Sequence, residues 1–140
     1  MTADSNTQTT GHVLVVDDDA TQRLLTQQFL EPAGFEVELA ADGGEALERL
    51  RERLPDLILL DVRMPRMDGF EVCIRVRQLA EGTEIPIVMV TGLEDLESIE
   101  QAYDAGATDF ITKPVLWETL SHRVRYLMRA GNAIRDLRNS

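Results

Sequence analysis

Three aspartates stand where short apolar runs end. Asp61 follows Leu57-Ile58-Leu59-Leu60, and Asp17-Asp18 follows Val13-Leu14-Val15-Val16. Each run reads as a short buried strand. Strands ending at one edge of a parallel sheet would gather three carboxylates in one crevice. Such a cluster repels itself unless a cation sits in it. The pattern therefore predicts a divalent-cation site around Asp61, taking Mg²⁺ or, in its place, Mn²⁺. A carboxylate oxygen of Asp61 can also attack phosphorus and give an acyl phosphate. Such a transfer is catalysed mostly by positioning and charge neutralisation. A Mg²⁺ held by Asp17, Asp18 and Asp61 would supply much of that. It needs six oxygens, keeps several waters, and can take a backbone carbonyl, for which Arg63 is well placed. Lys113 offers a compact ammonium and Thr91 a hydroxyl for phosphoryl oxygens. Gly92 leaves room beside Thr91.

The elements that must position these groups alternate along the chain. Strands are predicted at His12–Val16, Glu36–Ala40, Leu57–Leu60, Ile85–Val90 and Asp109–Thr112. The first helix is predicted over Ala20–Leu30, with Leu24, Leu25, Phe29 and Leu30 inward and Pro32 and Gly34 ending it. The second covers Gly43–Arg53, turns Ala46, Leu47 and Leu50 inward, and has Asp42 as N-cap. The third begins near Gly69 with Phe70, Val72, Cys73, Val76 and Leu79 as its apolar stripe. The fourth covers Glu94–Ala105 and ends at Gly106. The fifth begins near Leu116, with Leu116, Leu120, Val124 and Leu127 inward. Alternating strands and helices with short connections imply an α/β parallel sheet covered on both faces. In such a sheet, ligands bind outside the carboxyl ends of the strands. There the loops present Asp17-Asp18, Asp61, Thr91-Gly92 and Lys113-Pro114.

The length of 140 residues suits one domain, and 44% hydrophobic content is enough for a core. No apolar run approaches the roughly 20 residues of a membrane helix. A single cysteine, Cys73, fits a buried apolar position and a reducing, cytoplasmic setting. A net charge of −11 disfavours nucleic acid and anionic membranes as direct partners. Residues 1–11 read as a loose lead-in.

The set Asp17/Asp18, Asp61 within LLDVRMPRMDG, Thr91-Gly92 and Lys113-Pro114 resembles the CheY-like receiver domain of two-component response regulators. The resemblance covers about Val13 to Met128, and the five pieces in order are specific. It implies a flavodoxin-like, doubly wound five-stranded parallel sheet in the order 2-1-3-4-5 with five surrounding helices. It implies phosphoryl transfer to Asp61 from a phosphohistidine on a sensor histidine kinase or phosphotransfer protein. It implies Asp18 and Asp61 as direct metal ligands, Asp17 more often through water, and Lys113 as the partner of the phosphoryl group. It implies a cis bond between Lys113 and Pro114. Phe110 stands where the family carries an aromatic switch residue, coupled to Thr91. Phosphorylation would shift the population between two packings of that pair.

Plainer roles fit several neighbours. Asp19 suits a helix cap, Asp68-Gly69 a turn and helix start, and His12 and His122 ordinary surface positions. A Mg²⁺-dependent aspartyl-phosphate phosphatase would want an acid two residues after Asp61, where Arg63 stands. A flavin or dinucleotide binder would need an anion-accepting first loop, and this one is Asp-Asp-Asp. A degenerate receiver acting by protein contact alone is disfavoured by the complete set. The expected receiver domain is 12–128. Leu127, Ala130, Ile134 and Leu137 then continue at spacings of 3, 4 and 3. The segment 129–140 is thus expected to extend the last helix as a linker to an output domain absent from this chain, the alternative being a standalone receiver with a longer last helix. The stretch Trp117–Ser140 is similar to junctions before sensor or cyclic-dinucleotide output domains. A homodimer through helix 4, strand 5 and helix 5 is the expected consequence. Arg63 and Leu93, flanking the pocket mouth, are expected to tune the phosphoryl lifetime.

Overall fold

The computed structural model describes residues 11–92 and 96–139. The described elements alternate as β1 (Gly11–Val16), α1 (Ala20–Leu30), β2 (Phe35–Ala40), α2 (Gly43–Glu52), β3 (Leu57–Asp61), α3 (Gly69–Gln78), β4 (Ile87–Thr91), α4 (Leu96–Asp104), β5 (Asp109–Thr112) and α5 (Trp117–Asn139). All five strands pair in parallel in the order β2-β1-β3-β4-β5. This is the expected doubly wound arrangement. One apolar cluster lies on the α2–α3–α4 side and includes Leu14, Leu60, Val72, Val76, Ile87 and Met89. The other lies under α1 and α5 and includes Val13, Leu30, Leu59, Val88, Leu120 and Val124. β1 and β3 are buried on both faces, which explains their unbroken apolar runs.

Local signals set the helix starts. Asp19, Asp42 and Asp68 each accept hydrogen bonds from amides of the first turn, at α1, α2 and α3 respectively. The chain leaves α1 through a short 3₁₀ turn, Glu31–Ala33, and Gly34 takes φ +102°. That left-handed conformation favours glycine.

Several expectations change. β4 starts at Ile87 rather than Ile85, because Pro86 has no amide to give the ladder. The Pro86 carbonyl still accepts from Ile58 N at 2.9 Å. α2 ends at Glu52, with Arg53 extended beyond it. The start of α4 predicted at Glu94, Leu93 and most of the N-terminal lead-in lie outside the described residues. On α1 the buried residues are Thr26 and Leu30, while Leu24 and Phe29 are exposed. Phe29 stacks on Trp117 of α5, 5.4 Å between centroids. Leu79 and Leu116 are also exposed, since α3 and α5 begin or end beside them rather than carrying them inward. Leu120, Val124, Met128 and Gly131 form the buried face of α5.

His12 is not a surface residue. It is 4% exposed, with Nε2 2.8 Å from Glu38 Oε1 on β2. Its amide donates to Asp56 Oδ2, and its carbonyl accepts from Asp56 N, both at 2.8 Å. The partner emerges only through the β1–β2 register, where His12 pairs with Glu36 and Glu38 follows two residues on. His122 is exposed, as expected.

The far end of the sheet is tied by Arg77 of α3. Its guanidinium donates to the carbonyls of Gly82 and Ile85 at 2.7 Å and Gly106 at 2.9 Å. These carbonyls belong to the segments entering β4 and β5, so one cation supplies donors that loop backbone would otherwise lack. α5 runs unbroken to Asn139. Its Gly131 lies against Pro86, where an added Cβ would sit 2.7 Å from Pro86 Cγ. Glycine's helix cost there is offset by close packing.

Candidate functional site

The register places the chemistry. Val16 pairs with Leu60, Asp61 with Val90, and Thr91 with Thr112. Asp17, Asp61, Thr91 and Lys113 therefore emerge at one sheet edge, each at or just past a strand end. Carboxylate oxygens of Asp17, Asp18 and Asp61 all lie within 4.8 Å of one another. Asp17 and Asp61 are buried and Asp18 is exposed. Lys113, the chain's only lysine, puts Nζ 3.3 Å from Asp61 Oδ1 and 4.0 Å from Asp17 Oδ2. The shorter contact is the hydrogen bond. The peptide bond between Lys113 and Pro114 is cis.

Thr91 ends β4 and is 1% exposed. A Cβ on Gly92 would meet no described atom within 4 Å. Phe110 is half-buried on β5 and packs against the α2–α3–α4 cluster. Arg63 is exposed and lines an open depression with Asp18, Val62 and Met64. Trp117 and Thr26 line a small cavity that reaches Asp17 and Asp61 from behind.

Two features of the loop after Asp61 have no counterpart in the sequence pattern. Gly69 donates its amide to the Val62 carbonyl at 2.9 Å. A Cβ there would lie 2.4 Å from the Asp61 carbonyl oxygen and 2.8 Å from Val62 Cα. Asp68-Gly69 is a helix start, as its residue types suggest, but Gly69 also lets α3 press directly on the backbone of Asp61. Arg66 takes φ +69°, and Met67 N donates to the Pro65 carbonyl at 2.8 Å. The three residues Pro65-Arg66-Met67 form a γ-turn of the strained, positive-φ kind. Met67 then rests against Gly43 at the start of α2.

The electrostatics of the pocket follow from burial. Burial, then the charge of Asp17, push the Asp61 carboxyl up from 3.8 to about 6, against the pull of Lys113. Asp17 is raised for the same leading reason. The folded chain thus holds the Asp61 proton more tightly than the unfolded chain does. Stability from this group is greatest below pH 4 and falls as pH rises through 6. Above that, the ionised form carries a cost of at most about 3 kcal/mol. Asp61→Asn is expected to raise stability by about 1–3 kcal/mol at pH 7.5 without metal, and by almost nothing near pH 4. Urea unfolding of both proteins across that range measures it. An equal difference at both pH values would show that the carboxylate charge is not the cause.

The fold and this pocket define a class. Residues 13–125 match the model of the response regulator receiver domain, and the chain belongs to that family, a family of signalling domains. Over 117 residues it is 42% identical to the response regulator MprA of Mycobacterium sp. (strain KMS), covering 84% of this chain and 50% of that protein. Over 122 residues it is 38% identical to the DNA-binding dual master transcriptional regulator RpaA of Synechocystis sp., covering 87% of this chain and 51% of that one. The chain spans about half the length of these relatives. Among solved structures, it is similar to the chemotaxis protein CheY4 of Vibrio cholerae, with TM-score 0.80 and 38% identity over 83% of this chain and 97% of that chain. It is also similar to NtrX of Brucella abortus, with TM-score 0.83 and 29% identity over 91% of this chain and 29% of that one.

Proposed function

We propose that this domain accepts a phosphoryl group on Asp61 from a phosphohistidine, in a Mg²⁺-dependent reaction, and passes on the change through α4, β5 and α5. The observation that carries this is the convergence of Asp17, Asp18, Asp61 and Lys113 at one sheet edge. An all-oxygen donor set of three carboxylates fits a hard divalent cation, Mg²⁺ or Mn²⁺, and does not fit a soft metal. Asp17, Asp18 and Asp61 would hold it with the Arg63 carbonyl, and it would neutralise charge developing on the phosphoryl oxygens. Asp61 is the nucleophile. Burial raises its proton affinity, Lys113 pulls it back down, and a bound cation would favour the ionised form further. Lys113 holds Asp61 Oδ1 and offers its remaining protons to the incoming group. Thr91 supplies a hydroxyl, and Phe110 repacks with it. The same pocket would release the phosphoryl group to water, so the domain resets itself.

Metal binding is the nearest test. Mg²⁺ should bind weakly, and Asp18→Ala should weaken it at least about 10-fold in titration calorimetry, because one of three anionic ligands is gone. Wild-type affinity in the Asp18 variant would rule the site out.

The donor in this scheme is a sensor histidine kinase or phosphotransfer protein in the cytoplasm. The domain organisation proposed is a lead-in over 1–11, the receiver over 12–128 and a linker over 129–140 toward an output domain. The relatives' greater length supports an output domain. Ile134 and Leu137 are exposed on the last turns of α5, while Gly131 binds that helix to Pro86. An exposed apolar stripe on a helix fixed to the domain suits pairing with a second copy. Activation should therefore favour a dimer through α4–β5–α5 and this stripe, burying about 1,200–2,000 Å². Sedimentation with and without beryllofluoride measures it. A monomer at high micromolar concentration in both states would exclude the dimer for this chain and leave the phosphoacceptor untouched.

A further inference from the structure

We propose that Arg23 is a positioning residue for the acidic pocket: its guanidinium holds the Asp17 carbonyl and so fixes the peptide that presents Asp18 to a divalent cation. This rests on the metal site proposed above.

Asp17 and Asp61 are placed by burial at the strand ends. Asp18 is exposed, so the turn backbone, and not packing, determines where its carboxylate stands. That turn is pinned at several points. Asp17 N donates to the Ala40 carbonyl at 3.1 Å, and Asp19 N donates to Asp17 Oδ1 at 2.9 Å. Arg23 Nη1 donates to the Asp17 carbonyl at 2.6 Å, which anchors the peptide between Asp17 and Asp18. Arg23 itself is fixed from the opposite side, because its amide donates to the Asp19 carbonyl at 3.0 Å and Asp19 caps the helix. The guanidinium therefore closes a ring from the turn into α1 and back. A cation near three carboxylates ordinarily pairs with one of them. Here a short, charge-assisted bond goes to a carbonyl, leaving Asp17 Oδ2 and the Asp18 carboxylate for other partners.

Two effects of Arg23 on a bound cation have opposite signs. Its charge repels the ion, so on that ground its removal would tighten binding. Its bond holds a ligand-bearing peptide, so on that ground its removal would loosen binding, as loss of groups that orient metal ligands does. The proposal is that the second wins.

Mg²⁺ titration calorimetry on the full chain at pH 7.5 and fixed ionic strength decides it. Arg23→Ala should weaken Mg²⁺ roughly 10-fold, the low end for groups that orient ligands. Arg23→Lys, which keeps a donor and the charge, should recover part of that loss. If the alanine variant does not fold, Arg23→Gln is judged by the same criterion. A role in stability alone would lower the urea midpoint and leave the affinity of the folded protein unchanged. Unchanged or tighter Mg²⁺ in Arg23→Ala overturns the proposal. If Asp18→Ala also binds as wild type, the metal site itself falls. If Asp18→Ala loses binding while Arg23→Ala keeps it, only the role of Arg23 falls.

Discussion

Asp61→Asn is expected to abolish covalent phosphorylation. With acetyl phosphate and Mg²⁺, wild-type protein should gain one phosphoryl group, mapped by mass spectrometry to Asp61, and the variant none. An amide oxygen is too poor a nucleophile to replace a carboxylate. The environment sharpens the contrast. Asp61 sits 3.3 Å from Lys113 and within reach of two other carboxylates. Burial, reinforced by the Asp17 charge, makes it a reluctant anion, pushed up to about 6. Mg²⁺ and Lys113 would neutralise charge developing on the phosphoryl oxygens, so omitting Mg²⁺ should slow the wild-type reaction severely. The variant should remain folded and be the more stable of the two, so lost phosphorylation cannot be assigned to unfolding. A phosphoryl group mapped to another residue, or found on the variant, would defeat the assignment.

Gly69→Ala is expected to cost much stability, about 3 kcal/mol or more. Overpacking ordinarily costs about 1–3 kcal/mol, when side chains can give way. Here the contacts are backbone atoms, the Asp61 carbonyl at 2.4 Å and Val62 Cα at 2.8 Å. Relief requires α3 or the end of β3 to move, and both define the position of Asp61. Phosphorylation from acetyl phosphate should therefore fall even at low temperature, where the variant is folded. Gly92→Ala is the natural comparison, because a Cβ there meets no described atom within 4 Å. Urea midpoints of the two variants measure the difference. Equal, small losses would show that the α3–β3 contact is soft.

Much of the site is legible in the sequence, because its signals are local. A β-branched apolar run ending in aspartate marks both a buried strand and what stands at its end. Asp17, Asp61, Thr91 and Lys113 each follow such a run, and parallel topology brings strand ends to one edge. Helix starts at Asp19, Asp42 and Asp68 are readable for the same reason, since a cap bonds within its own first turn. The pattern bounds β5 correctly, whereas it starts β4 two residues early because Pro86 sits inside an apolar stretch.

What the sequence does not determine depends on partners distant along the chain. Leu24 and Phe29 look like core residues by spacing, but α1 rolls so that Thr26 and Leu30 face the sheet, and Phe29 meets Trp117 instead. His12 looks solvated until register sets Glu38 beside it. Gly69, Arg23 and Gly131 carry no motif for what they do. One presses a helix onto Asp61, one clamps the turn before Asp18, and one seats the last helix on Pro86. The sequence by itself determined which groups are available at the sheet edge, because strand ends and caps are properties of a few neighbouring residues. Tertiary structure alone decided how tightly those groups are held, because close backbone approach and burial are properties of segments that meet only after folding.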